Sequence, residues 1–233
     1  MGVRLPGPFR GHLPGAVRLP ARRDPPALTQ FLDAAKTIGH IGVVPQVSVK
    51  SRIVENATRV FLEKGFQGSS IQDLVDAAGV PKGSFYNHFS GKEELAVEIT
   101  RRWVVDGGLD GLYVRSGPPL QRLREHLESA AARRFAEYGP HGCLLGNFST
   151  GVPAECGRLR AQVAAGLDQW TAAVAAALAE AREAGDLHVD TDAAVLARYV
   201  LDGFEGAIAR GKVSGDRAVL DQWFDVTFGV LLV

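Results

Sequence analysis

The chain has 233 residues, with 26 Lys and Arg against 26 Asp and Glu, so its formal net charge is zero; 46% of it is hydrophobic and 22% charged. These are ordinary proportions for a globular protein with a sizeable core, and they exclude a disordered, collagen-like or fibrous chain. No run of about 18 apolar residues occurs, which excludes a membrane-spanning helix and a membrane partner of that kind.

The two cysteines, Cys143 and Cys156, form neither a disulfide framework nor a zinc site, and a reducing, cytoplasmic compartment is expected. The six histidines are scattered without His-x-x-x-His or Cys/His spacing, so no protein-held metal and no cofactor are expected. Neutrality conceals a gradient. Residues 1–48 carry six basic against two acidic side chains, residues 49–108 eight of each, and residues 109–233 twelve against sixteen. A nucleic-acid face on such a chain has to place few cations well.

Residues 1–47 differ from the rest. Pro6, Pro8, Pro14, Pro20, Pro25 and Pro26 are interleaved with glycine and arginine, and only Ala27–Thr37 could be helical, with Leu28, Phe31, Leu32 and Ala35 on one face. The segment lacks the apolar core and cleavage site of a signal peptide. An arm touching DNA or a partner and a folded accessory helix stay open. The expectation is a poorly ordered extension, or an untranslated stretch ahead of a start near Val43 or Val44.

From Ser48 onward helix signals dominate, and the expected fold class is all-α. Ile53, Ala57, Val60, Phe61 and Lys64 mark one face of a helix that stops at Gly65. Ser70 caps a short helix with Ile71, Leu74, Val75 and Ala78 inward, and Asp73 holds the capping-box position. Gly79 suits a left-handed stop, and Pro81 opens a second short helix running to Phe89. A longer helix begins at Lys92 and carries Leu95, Ile99, Trp103 and Val104.

Pro118 and Pro119 start a helix with Leu120, Leu123, Leu127 and Ala131 inward, closed by Gly139 and Pro140. The Gly142–Gly151 stretch resists assignment. Ala154–Ala184 reads as one long helix ended by Gly185, and Thr191 caps another that reaches about Arg210. The last runs from Asp216 to the C-terminus with Leu220, Trp223, Phe224, Thr227 and Leu231 on one face. The expected domains are a helix-turn-helix unit over 48–108 and a helical effector-binding and dimerisation unit over 109–233.

Two short helices around Gly79 with a three-to-four-residue turn have the geometry of a helix-turn-helix. Phe85 and Phe89, four apart, would anchor the second helix. Lys82, Ser84, Tyr86, Asn87 and His88 would form its polar face, with Gly83 permitting close backbone approach. Asn and Lys can read base edges, while Ser, Tyr and His commonly take phosphates. Lys92 joins a cation to a helix N-terminus, both attractive to phosphate. No nucleophile–base–orienter set, phosphate loop or carboxylate pair suggests an enzyme. A helical enzyme or structural dimer without DNA binding is the rival class.

Three segments, Ala57–Phe66, Ser69–Val80 and Pro81–Leu95, give the sequence a resemblance. With their Gly-Val-x-x-Gly-x-x-Tyr-x-His-Phe-x-x-Lys-x-x-Leu spacing, Lys50–Ile99 resembles the N-terminal domain of TetR-type transcriptional regulators, over about a fifth of the chain. The resemblance implies a helix-turn-helix over Ser70–Phe89 and a recognition helix over Lys82–Phe89. Ser70, Gln72, Lys82, Gly83, Ser84, Tyr86, Asn87, His88 and Lys92 would then be at or near the DNA. It also implies a homodimer on a pseudo-palindromic operator and a small-molecule effector that releases it, most often from a repressor. The Trp223, Phe224 and Leu231 face, with Ala193–Ala209, would supply the dimer surface.

Gly142–Asn147 and Glu205–Val213 are similar to segments of a branch of that family, the NemR and AcuR types, whose members answer reactive electrophiles or small unsaturated acids and aldehydes. By that resemblance Cys143 would be a sensing thiol and Lys212 its nearby cation, with the helix start favouring the thiolate. Asn147 and Phe148 could instead line a pocket for a non-covalent ligand, and Cys143 could be an inert buried thiol. The sequence departs from the branch at Phe148–Pro153.

Overall fold

The computed structural model describes residues 48–136, 141–187 and 189–233, which form ten α-helices and a closing π turn, with no strand among the described residues. The expectations for residues 1–47 and for a stop at Gly139–Pro140 lie outside the described residues.

The Ser48 hydroxyl accepts the Ser51 N–H at 3.1 Å and so caps α1 (Val49–Gly68). A kink at Gly65 interrupts α1, where φ reaches 72°, a value that favours glycine. Around it, Ile53, Ala57 and Phe61 are fully buried. The short helix α2 (Ile71–Ala78) has both halves of the expected capping box: Ser70 Oγ accepts the Asp73 N–H, and the Asp73 carboxylate accepts the Ser70 N–H. Gly79 closes it with φ 62°, and the Val80 N–H reaches the Val75 carbonyl at 3.1 Å. The next helix, α3, spans only Lys82–Tyr86, shorter than the expected run to Phe89, because the chain turns at Asn87 and His88.

α2 and α3 pack on α1, and α1 packs on α4 (Lys92–Asp106), which also packs against the rest of the chain. A one-turn helix that the sequence did not announce, α5 (Asp110–Tyr113), leads to α6 (Pro119–Ala136). The unassigned glycine-rich stretch contains α7 (Leu144–Gly151), which buries Leu144, Leu145 and Phe148. The long helix α8 starts at Gly157 rather than Ala154, since Pro153–Cys156 forms a turn, and runs to Ala184. It is the body's centre, packing against α4, α5, α6, α7 and α9. Arg122 on α6 donates to Glu180 on α8 at 2.6 Å, largely out of solvent.

Asp192, not Thr191, caps α9 (Ala193–Ser214): its carboxylate accepts the Ala194 and Val195 N–H groups. The terminal helix α10 (Ala218–Val226) widens into a π turn over Thr227–Leu231. That turn moves the inward position by one residue. Leu231, expected inside by α-periodicity, is exposed, while Leu232 is fully buried and its N–H reaches the Thr227 carbonyl at 3.0 Å. Trp223 and Phe224 also depart from expectation. They face Phe204 of α9 at 5.3 and 6.3 Å, with Phe224 buried in the core and Trp223 half-buried against it, so they do not form an open face.

Because only Leu232 fills the core, Leu232→Ala is expected to cost about 2–5 kcal/mol in urea unfolding, and Leu231→Ala less than half as much.

Candidate nucleic-acid interface and cavity

The helix-turn-helix is held from beneath. Phe85 and Phe89 are buried 5.7 Å apart, and the Lys50 ammonium lies 5.6 Å from the Phe89 ring. Arg52 Nη2 donates to the Ala78 and Gly79 carbonyls at 2.8 and 3.2 Å, neutralising the C-terminal end of α2. On the outer side Lys82, Gly83, Tyr86, Asn87 and His88 are exposed together, Tyr86 by 51%, and Ser84 is half-buried. Gln72 is exposed on α2 and donates to Asp76 at 2.7 Å. Ser70 is exposed as well, but its hydroxyl is committed to Asp73. Together these groups mix donors, acceptors and two flat rings, Tyr86 and His88, on one exposed side.

Lys92 does not fit the outward role expected of it. Its Nζ turns inward and donates to the Phe66 and Ser69 carbonyls at 2.6 and 2.7 Å, and it lies 4.5 Å from the Phe66 ring centroid. Burial pushes this ammonium's pKa down. The Asp73 carboxyl is held far below the usual carboxylate range, first by Lys64, then by the Ser70 hydroxyl and N–H.

The four residues expected to sense an effector separate into two groups. Asn147 and Lys212 meet: Lys212 Nζ donates to Asn147 Oδ1 at 3.3 Å, and Asn147 Nδ2 donates to the His141 carbonyl at 2.9 Å, while the Asn147 N–H reaches the Cys143 carbonyl at 2.9 Å. Cys143 occupies the N-cap of α7, as its sequence position suggested, but it is only 2% exposed. The Lys212 ammonium is given to Asn147. At Gly146 any side chain would meet the Glu205 carboxylate, so α7 and α9 touch there through a glycine. Phe148 leaves this group. It is buried against Phe61 and Phe66 of α1, at 5.6 and 6.2 Å, and packs there instead of lining a pocket. Cys156 is half-buried, and desolvation, then Glu93 and Glu155, push its thiol pKa up.

A cavity of about 290 Å³ lies elsewhere, where α1 and α4 meet the body. Val54, Glu55 and Thr58 of α1 form one wall, and Ile99, Arg102, Trp103 and Val104 of α4 form another. His126, Ala130 and Arg133 come from α6, Leu145 from α7, and Gly166 and Trp170 from α8. Trp170 Nε1 donates to His126 Nε2 at 3.0 Å. A side chain at Gly166 would collide with Val104 and Leu145, so its absence lets three helices converge. The sequence marked Ile99, Trp103 and Val104 only as residues of one helix and gave no sign of the cavity. Its lining residues share no motif and are brought together only by packing.

A helix-turn-helix on one end of an all-helical body, with a cavity where the two join, defines a DNA-binding regulator. A family model described as bacterial regulatory proteins, tetR family, matches residues 53–99, and one described as tetracyclin repressor-like, C-terminal domain, matches residues 119–226. The HTH-type transcriptional repressor DhaR of Mycobacterium sp. (strain GP1) is 34% identical over 187 residues, covering 79% of this chain and 92% of that protein. The transcriptional regulator AcuR of Cereibacter sphaeroides is 32% identical over 158 residues, covering 65% and 70%. The crystal structure of regulatory protein TetR from Rhodobacter sphaeroides shares the fold with a TM-score of 0.70 at 31% identity, over 80% of this chain and all of that one. The chain belongs to the TetR family. It is a transcriptional regulator of the repressor type with a ligand-binding C-terminal domain, and not an enzyme. Regulators of this family bind operator DNA and small-molecule effectors and act as dimers.

The depressed pKa of Asp73 sets a pH signature. Its contribution is fully present above the ordinary value near 3.8 and is lost as pH falls towards the lower folded value. Urea titrations of wild type and Asp73→Asn should therefore differ most above about pH 5 and converge as the medium is acidified.

Proposed function

We propose that residues 48–108 read operator DNA through Lys82, Gly83, Ser84, Tyr86, Asn87 and His88, with Gln72 and Ser70 at the edge. Residues 109–233 then join two copies and, together with α1 and α4, bind the effector. The dimer face is the exposed stripe of α9, where Val195, Tyr199, Asp202, Gly206, Ala209 and Val213 recur at alternating spacings of four and three, flanked by the exposed Val226 and Val230. A two-fold dimer sets two α3 helices about 34–36 Å apart on a pseudo-palindrome. No helix among the described residues is long and apolar enough to cross a membrane, and the proposed place of action is the cytoplasm, with its DNA.

The observation that carries the effector reading is the cavity wall. α1 and α4 belong to the DNA-reading half, so an occupant of the cavity presses directly on the elements that hold α2 and α3. The occupant is a small, largely apolar molecule held without a covalent bond. Release follows if it favours a spacing of the two heads that no longer matches the operator. A second reading is favoured by one observation: Cys143 sits at a helix start beside the Asn147–Lys212 pair, where a modified thiol would disturb α7 and, through Phe148, α1.

A mobility shift on DNA from upstream of the gene, with and without an α,β-unsaturated aldehyde, separates the two readings. The cavity reading expects Cys143→Ser to behave as wild type does. Release by wild type alone assigns sensing to the thiol. In the same assay Tyr86→Ala and Asn87→Ala should each lower operator affinity by about ten- to a hundred-fold. Unchanged binding by both variants would remove this face as the reader.

A further inference from the structure

We propose that Lys92 is a positioning residue for operator recognition, setting the helix-turn-helix from within through the carbonyls of Phe66 and Ser69, and that it does not touch DNA. The proposal rests on the reading of α2 and α3 as the DNA-binding unit.

A lysine as the first residue of a helix is electrostatically misplaced, because a helix N-terminus repels cations. Left in solvent, its ammonium would simply be hydrated. Here it is half-buried, and it donates to Phe66 O at 2.6 Å and to Ser69 O at 2.7 Å. Both carbonyls belong to the end of α1 or its cap, where helical acceptors lack intrahelical partners. Ser69 is itself buried, and its hydroxyl donates to the same Phe66 carbonyl at 2.9 Å. The next residue, Ser70, is the N-cap of α2. Lys92 therefore fixes the peptide from which the helix-turn-helix departs.

The first turn of α4 holds the exit as well as the entry. The Glu94 carboxylate accepts the Ser90 N–H at 2.7 Å and the Ser90 hydroxyl at 2.6 Å, just beyond α3. Further along the same helix, Ile99, Arg102, Trp103 and Val104 line the cavity. At its far end Arg133 donates to the Asp106 and Gly107 carbonyls at 2.8 and 2.9 Å. One helix is thus gripped by a cation at each end, and a displacement at the cavity reaches α2 through Lys92. Two of the three ammonium donors are spent on this grip, and the half-buried side chain points into the fold rather than along the exposed face of α3.

The test uses a duplex selected from a random pool by the full-length wild-type protein, with affinities measured across a salt series for wild type and Lys92→Met. Circular dichroism and a melting curve establish that the variant is folded at the assay temperature. The proposal expects Lys92→Met to bind the selected duplex at least about ten-fold more weakly. Its slope of log affinity against log salt should be that of wild type, and its affinity for unselected duplex unchanged. A slope shallower by about 0.9, with weaker binding to every duplex, would make Lys92 a phosphate contact and overturn the proposal. Wild-type affinity in a folded but less stable variant would overturn it too, leaving Lys92 only a stabilising group. If Lys92→Met does not fold, Lys92→Gln is measured against the same outcomes, and failure of both to fold refutes a positioning role. A wild type that selects no sequence defeats the DNA-face reading itself, a failure seen before any variant is compared.

Discussion

Phe61 is the side chain on which both halves of the molecule close. It is fully buried, meets Phe66 at 6.0 Å within α1, and meets Phe148 of α7 edge-on at 5.6 Å. The apolar core of the helix-turn-helix unit is therefore continuous with that of the remaining helices, because its longest helix is packed on one side by α2 and α3 and on another by α7. A helical unit of this size buries a smaller fraction of its surface than a larger domain and is correspondingly marginal alone. This unit borrows the body's apolar surface, so any change in the body's packing is felt at α1.

Cations complete what the aromatic junction begins. Arg52, Lys92 and Arg133 each end on main-chain carbonyls at the close of a helix, where acceptors are unsatisfied and the dipole is negative. In a chain with no excess of positive charge, three of the best-placed cations are spent inside the architecture. On α3 the exposed cation is Lys82, so DNA binding through the proposed face would draw also on hydrogen bonds and the Tyr86 ring.

Most of this was legible where local chemistry decides the outcome. Ser70, Asp73 and Gly79 announce the borders of α2, because caps and left-handed turns are satisfied within a few residues. The exposed set from Lys82 to His88 followed from the buried pair Phe85 and Phe89. Illegible parts were those decided at long range. The direction of Lys92 depends on carbonyls 23 and 26 residues away, and its position at a helix start argued for the opposite direction. Phe148 looked like a pocket residue because its partners, Phe61 and Phe66, lie on another helix. The cavity left no trace, since its walls come from helices α1, α4, α6, α7 and α8. Asp192 rather than Thr191 became a cap because both stand beside the helix start and a single sequence cannot rank them.

The π turn at Thr227–Leu231 has a consequence for how the tail tolerates change. Val230, Leu231, Leu232 and Val233 are all aliphatic, so whichever residue the last turn brings inward, an aliphatic group of similar size arrives. Losing one residue from the widened turn would restore ordinary helical spacing and slide a neighbouring side chain into the slot now filled by Leu232. The end of the chain is thus written redundantly, an anchor whose chemistry survives a slip in its register.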